Sequence, residues 1–598
     1  MKSWKKRALA LTLTVLVLLS GCQLPFGGTG GDSAPVDTVD VSDAYFGLAW
    51  YRNGTLNPVM DGSSVNSMLR EALYEGLFEI KNDFTAENQL CSEYTSDGTT
   101  FTFTLLDGAK FWSGAVLTAD DVVESLATVL ENEKSPYHNR LTEVSSIEAV
   151  DSRRVRIVLS TPNVNFPRLL DIPIYRAGTA EEGEFAEGTG PYMPVQSGGN
   201  TWTLEANTNW HGGFLGTIRH ITLVKMTRAE AAESSFRTGD VSLVRSVRIA
   251  PDDKNITFSG AVDTVQTASA VLHYIGINFN NGQLANAKVR QALSQAISRE
   301  SLCDTQLQSY ADPAVLPVNP QPQDDSLTYS MAADLMTAAQ YLREAVQNSD
   351  AVPADSGAED ASEETEESEE SGDASSEDSE PSEEDGYYDE DGDFIYYQRA
   401  EHTAGAPELL TANVSAGTDT AVSDGKVVLL DTKTSDTSAA VSSTAKINLS
   451  FRLLVNSDNA FKVAAAQQIA ASWNALDGVT VTVDAEPYDT YLSMLQSGSF
   501  DAYYGETQLT PDFDLRPLLA AKGKLNYGSC DSEEMTAAIA AYRSGEDTVG
   551  LYTTFLEQMP IIPLAFEREQ VVIRKNLINN FDPTPYNVFA EQEKWVKP

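Results

Sequence analysis

The stretch INLSFRLLVNSDNAFKVAAAQQIAASWNALDGVTVTV, residues 447–483, decides the fold class. Ile447, Leu449, Phe451 and Leu453 fall on alternate positions, the period of a strand with one face on a core. Ala466, Ile469, Ala470 and Trp473 then repeat at helical spacing, and Gly478 supplies a stop. VTVTV, residues 479–483, alternates again. Strand, helix and strand of these lengths make a βαβ unit. The pattern continues with Tyr491, Leu492 and Leu495 on a second helix that ends near Gly498, followed by the strand FDAYY. It recurs at 273–300, where HYIGINFN precedes a helix carrying Val289, Leu293, Ala296 and Ile297. The class is α/β with mixed sheets.

Toward the N-terminus, TFTFTLLDGAKF alternates Phe101, Phe103 and Leu105 as a strand and breaks at Asp107-Gly108. LTADDVVESLATVL then opens with Thr118 and Asp121 in capping-box spacing, and sets Val122, Leu126, Val129 and Leu130 on one face. Asp120 and Asp121 suit the helix N-terminus they occupy.

The chain has 598 residues and a net charge of -46, which repels the phosphates of nucleic acid and anionic lipid. DSGAEDASEETEESEESGDASSEDSEPSEEDG, residues 355–386, holds no Lys or Arg and almost nothing to bury, so disorder is expected there. With its Thr/Ser-rich continuation it makes a surface insertion over 350–446 that interrupts one fold. Asp389, Asp391 and Asp393 lack the Gly and final acid of a calcium loop and read as a solvated charge run.

At the other end, Lys2, Lys5, Lys6 and Arg7 precede the apolar run from Ala8 to Leu19, which is too short for the roughly twenty residues that span a bilayer. Residues 1–21 therefore read as a secretory signal and 22–40 as a tether. Leu19-Ser20-Gly21-Cys22 resembles the bacterial lipobox, which implies lipidation of Cys22 and a protein held on the outer face of the cell membrane. Cys91, Cys303 and Cys530 show no paired spacing and read as small buried residues.

No nucleophile elbow, zinc-protease helix, phosphate loop or dinucleotide glycine motif is present in the sequence. His138, His211, His220, His273 and His402 form no ligand pair at helical spacing. No enzyme activity, metal site or cofactor is expected.

A resemblance then becomes specific. LNPVMDGSSVNSMLREALYEGLFEI (56–80) and TSDGTTFTFTLLDGAKFWSGAVLTADDVVESL (95–126) resemble the opening signature of the family 5 extracellular solute-binding proteins. These are the oligopeptide, dipeptide and nickel-binding class of ABC importers. GTGPYMP (188–194), NTNWHGG (207–213), IGINFNNGQLANAKVRQALSQAISRESL (275–302), TAAQYLREA (337–345), YLSMLQSGSFDAYYGE (491–506) and LEQMPIIPLAF (556–566) follow in the family's order. The resemblance implies a two-lobed type II periplasmic-binding-protein clamp with an extra domain in lobe one. Lobe one would hold 41–75, 190–270 and 507–598, the extra domain 76–189, and lobe two 271–349 and 447–506. It implies a monomer that binds a peptide or peptide-like solute and passes it to an ABC permease and its ATPase. A surface receptor for signalling peptides and a nickel- or chelate-binding member stay open on the same fold.

The resemblance also places candidate residues. Ile277, Asn278 and Gly505 would lie at the lobe crossings. Trp50 and Tyr51 would end the first strand near the cleft mouth. Tyr503, Tyr504 and Glu506 would end a strand at the second crossing, with one tyrosine of the pair facing the cleft. Family members often carry Gly-Trp where this chain has Gly505-Glu506. Peptide-binding members place an amine-gripping aspartate where this chain has Leu509 or Thr510. Either Glu506 or Asp512 replaces it, or the ligand has no free amine. Trp112 and Arg290 read as structural.

Overall fold

The computed structural model describes residues 45–51, 55–181, 183–197, 201–228, 231–246, 261–349, 447–596 and 598, together with four short strands between 386 and 429. The signal, the tether, Cys22, the Asp389–Asp393 run and most of 350–446 lie outside the described residues. Within that insertion, Gly386–Tyr388 pairs with Phe394–Tyr396, and Thr420–Ser423 with Lys426–Leu429, as antiparallel hairpins. Among the described residues no helix is long and apolar enough to cross a membrane.

The βαβ stretch folds as its pattern requires. Leu449–Asn456 and Val479–Glu486 run parallel with Leu449 opposite Val479, and helix Ala460–Asn474 connects them. Asn459 caps the helix, its side chain accepting the Lys462 N–H at 3.1 Å. Trp473 is fully buried and donates its Nε1–H to the Leu293 carbonyl at 2.8 Å, locking this helix to Ala287–Gln295. Helix Tyr488–Ser497 ends at Gly498 with φ 69°, a left-handed cap that glycine takes without strain. Strand Ala502–Gln508 returns parallel to Leu449–Asn456.

These strands belong to a seven-stranded sheet in the order Leu243–Ser246, Ile562–Arg574, Val262–Ile277, Ala502–Gln508, Leu449–Asn456, Val479–Glu486, with Ala311–Pro313 also on Ile562–Arg574. Val262–Ile277 has 16 residues and Ile562–Arg574 has 13, and they pair antiparallel along most of that length. Each serves two cores. Leu272, Tyr274, Ile275, Ile562, Leu564 and Phe566 enter one core with residues of 284–345 and 449–561. Val571 and Ile573 enter another with residues of 46–223 and 577–595. Between the two, the same strands carry the buried polar residues Thr267, Glu567 and Gln570.

The second of these cores gathers two further sheets. One is Gly47–Tyr51, His220–Met226, Trp202–Ala206 and Tyr192–Gln196, with only the first pair parallel. The other is an antiparallel set, Cys91–Ser96, Thr100–Leu105, Arg154–Leu159 and Val144–Asp151. The alternation in Thr100–Leu105 buries Phe101, Phe103 and Leu105, and helix Ala119–Leu130 starts with the Thr118–Asp121 capping box. Cys91, Cys303 and Cys530 are free and buried.

One expected boundary moves. Segment 507–598 does not all join lobe one, because the chain stays on the other body through helices Glu533–Ser544 and Thr548–Gln558. Leu509 to Phe566 pack with residues 270–504, and only Val571 onward joins the 46–223 core. The two bodies also meet away from the long strands. Phe84 lies 4.8 Å from Phe513, centroid to centroid. Glu143 accepts from Arg516 at 2.8 Å and also from Arg543, while Asn163 donates to Asp512 at 2.9 Å.

Candidate functional site

Register sets the site. Across the central sheet, His273 stands opposite Glu506 on one neighbouring strand and opposite Ala565 on the other. Pairing with Ile562–Arg574 is irregular on both sides of His273, and Glu567, two residues past Ala565, reaches the imidazole. His273 Nε2 lies 2.7 Å from Glu567 Oε1 and 3.5 Å from Glu506 Oε2, and its Nδ1 lies 2.9 Å from the Tyr504 hydroxyl. Lys462, from the first turn of helix Ala460–Asn474, puts its Nζ 2.9 Å from Glu506 Oε2.

The charged row continues along Ile562–Arg574, since Glu567 and Glu569 share a face at strand period. Arg245 Nε lies 3.2 Å from Glu569 Oε2, and its guanidinium donates to Glu71 Oε1 at 2.8 Å. Glu71 sits on helix Ser67–Leu73 in one body and Lys462 on a helix of the other, so the row bridges them. Glu506 stands near the carboxyl end of strand Ala502–Gln508, and Lys462 follows the carboxyl end of the parallel strand Leu449–Asn456. Open α/β sheets place their ligands in that position.

Electrostatics differ along the row. Burial pushes the Glu569 carboxyl up to about 7, with the Glu71 and Glu567 charges adding and Arg245 opposing. Burial, then the Glu506 charge, raises Glu567 above the usual carboxylate range, and His273 and Lys462 only partly offset this. For Glu506 burial also acts upward, but Lys462 and His273 outweigh it and hold the carboxyl low. The row can therefore keep a proton near neutral pH at Glu569, and a cation could replace that proton.

The expected site residues fall as follows. Trp50 is 1% exposed and packs on Phe185 and Trp202 at 5.9 and 6.5 Å, so it is a core residue rather than a cleft residue. Tyr51 is half-buried beside the small cluster of Ala49 and Val572. Tyr503 and Tyr504 do face opposite sides of the sheet, yet both sides are covered and both rings are buried. Tyr503 joins Tyr274 with hydroxyls 3.2 Å apart, and Tyr504 joins His273. Glu506 stands at the junction but is paired with Lys462. Asp512 is buried between Asn163 and Thr510, far from free carboxylate behaviour, and burial raises its carboxyl.

The expected hinge residues lie inside one body. Ile277 is in the core with Ile275, and Asn278 donates to the Phe500 carbonyl at 2.7 Å. Gly505 is a packing position: a Cβ there would sit 2.5 Å from the Tyr274 ring, and Gly276 likewise seats Tyr503. Along these strands the packing changes from one core to the other between Ala270 and residues before it, and between Phe566 and Val571. Sequence reading missed His273, Lys462, Glu567, Glu569, Arg245 and Glu71. The usable signals were the two-residue spacing in AFEREQV and the pairing of 271–277 with 502–508.

Two α/β bodies joined by long shared strands, with a polar junction between them, define the type II solute-binding fold. Residues 85–352 match the family described as bacterial extracellular solute-binding proteins, family 5 Middle. The glutathione-binding protein GsiB of Salmonella typhi is 27% identical over 286 residues, 44% of this chain and 54% of that protein, so the match spans about half of the relative. Among solved structures, the substrate-binding protein CtaP of Listeria monocytogenes aligns with TM-score 0.60 at 16% identity, over 93% of this chain and 100% of that one. The oligopeptide-binding protein AppA of Bacillus subtilis, in complex with a nonapeptide, aligns with TM-score 0.51 at 18% identity, over 93% and 100%. These two likenesses concern the fold.

Proposed function

We propose that this chain captures a peptide or peptide-like solute between its two bodies and delivers it, unaltered, to an ABC permease and its ATPase. It works as a monomer outside the cytoplasm, held at the membrane through lipid on Cys22. Lobe one comprises residues from 45 to about 266 and from about 571 onward, with the 76–189 portion sharing its core. Lobe two comprises about 270–566 and carries the insertion.

The observation that carries this reading is the charged row from Glu71 to Lys462 across the junction. Within it we assign the grip on a cationic end of the solute to Glu569, which is paired with Arg245 at 3.2 Å but whose carboxyl burial still pushes up to about 7. Asp512 and Glu506 are engaged by protein partners, Leu509 is apolar and buried, and Thr510 donates to Asp512. A charge-assisted hydrogen bond to a buried carboxylate contributes about 1.5–3 kcal/mol. Ligand that touches both bodies only when they are shut favours the shut state.

Native mass spectrometry of protein purified from its host is the direct test, followed by calorimetry with the solute that is released. A bound compound of peptide-like mass is expected, with affinity at least about tenfold weaker in Glu569→Gln. A solute that emerges cleaved, or equal affinity in wild type and variant with no change in particle shape on binding, overturns the reading.

A further inference from the structure

His273, Glu506 and Glu567 come from three adjacent strands of one sheet, and each lays a donor on the same face. Their nearest donor atoms lie within 4.8 Å of one another. We propose that these three residues form a site for a borderline divalent cation (Zn²⁺, Ni²⁺ or Co²⁺), and that the Lys462 ammonium holds the seat when no metal is bound. The grip assigned to solute lies at Glu569, and the cation site occupies the other end of the same row, so the proposal goes beyond solute capture.

Donor chemistry fits. One imidazole and two carboxylates, with positions left open for water or solute, suit first-row divalent metals. Ligands about 2.0–2.2 Å from such a metal sit about 3 Å from each other. The observed 2.7 Å and 3.5 Å from Nε2 to the two carboxylates bracket that spacing. Strands hold donors more rigidly than loops, so little ordering remains to be done on binding.

The imidazole is also aimed. Its Nδ1 is 2.9 Å from the Tyr504 hydroxyl, which leaves Nε2 toward the carboxylates. Metal-binding histidines are oriented by such a bond on the other nitrogen. Tyr504 is in turn held in place, its carbonyl accepting from the Tyr491 hydroxyl at 2.8 Å. Burial completes the setting: the His273 side chain is 0% exposed and Glu567 8%, while Glu506 at 29% leaves an opening on one side.

Charge explains Lys462. The two carboxylates place up to two negative charges in a largely buried site. One ammonium cancels one of them, and a divalent cation cancels both. Lys462 has a flexible four-carbon stem whose base alone is fixed by the helix, so its head can swing outward when metal arrives. The ammonium is then a competitor, and removing it should tighten metal binding.

The test uses the full chain, stripped with chelator and free of added solute. Calorimetry with ZnCl₂ and NiCl₂ should show one equivalent bound, and CoCl₂ should give the visible bands of a nitrogen- and oxygen-ligated ion. His273→Gln and Glu506→Gln should each weaken binding by about a hundredfold or more. Lys462→Met should strengthen it by about tenfold. Glu506 is partly exposed, so its variant remains informative if His273→Gln fails to fold. No stoichiometric binding to wild type, binding that survives Glu506→Gln, or no gain in Lys462→Met overturns the proposal. Solute capture measured in excess chelator is independent of these outcomes, so either claim can fail alone.

Discussion

Replacing Gly505 by alanine separates a packing role from a hinge role. A Cβ at this position would lie 2.5 Å from Tyr274 Cζ and 2.8 Å from its Cε1. Carbon atoms rest about 3.5–4.0 Å apart, so the ring has to move by about 1 Å. It has little room, being 2% exposed with its hydroxyl 3.2 Å from that of Tyr503. Tyr503 is itself seated over Gly276, where a Cβ would meet its ring at 2.1 Å. Overfilling a packed core costs about 1–3 kcal/mol. Alanine returns about 0.4–1 kcal/mol by stiffening the unfolded chain, since Gly505 is not among the positive-φ glycines. The net loss spans about 0–2.6 kcal/mol, with a midpoint of about 1.3 kcal/mol. At about 2–4 °C per kcal/mol for a body of this size, that midpoint lowers Tm by about 3–5 °C in calorimetry. In a Tyr274→Ala background, with the ring gone, the alanine penalty should disappear. An unchanged Tm with altered solute affinity or altered closure in scattering would refute the packing argument and restore a hinge at Gly505.

Three other outcomes are expected. Because the Glu569 carboxyl rises from 4.5 to about 7 on folding, the folded state binds more protons between those values, so stability falls as pH rises from 4.5 to 7. The loss is on the order of 2–3 kcal/mol, and denaturant titration of Glu569→Gln should show that slope removed. Trp473→Phe strips the donor from the Leu293 carbonyl in a fully buried site and should cost about 1–3 kcal/mol by urea denaturation. Glu143→Gln weakens the contact with Arg516 and with buried Arg543, whose other carboxylates stand at 3.6 and 3.7 Å. Hydrogen exchange in 510–545 should accelerate, and added salt should shrink the difference between variant and wild type.

Local patterns carried the fold well. The alternation in 449–456 and 479–483, the helix stripe ending at Trp473 and the Thr118–Asp121 cap each depend on near neighbours, and each appears in place. The site was harder to see because strand pairing assembles it. His273 reads as an ordinary strand residue until Glu506 is opposite it, and Glu567 until an irregular register brings it two positions closer. The aromatic candidates misled for a related reason. Alternation says which face Tyr503 and Tyr504 occupy, but a central strand of this sheet is covered on both faces, so neither ring is left for a ligand. Asp512 was named for its charge, and the long-range partner Asn163 that consumes it is 349 positions away.

Gln266 and Gln570 are paired across the two long strands. The chain therefore leaves for the second core and comes home at adjacent backbone positions, about 5 Å apart. Everything between them, residues 267–569, is topologically a single detour. A two-residue turn joining Gln266 to Gln570 would close the remaining strands into a hairpin and leave both four-stranded sheets uncut. Excision of half the molecule thus leaves two ends close enough for the shortest of bridges.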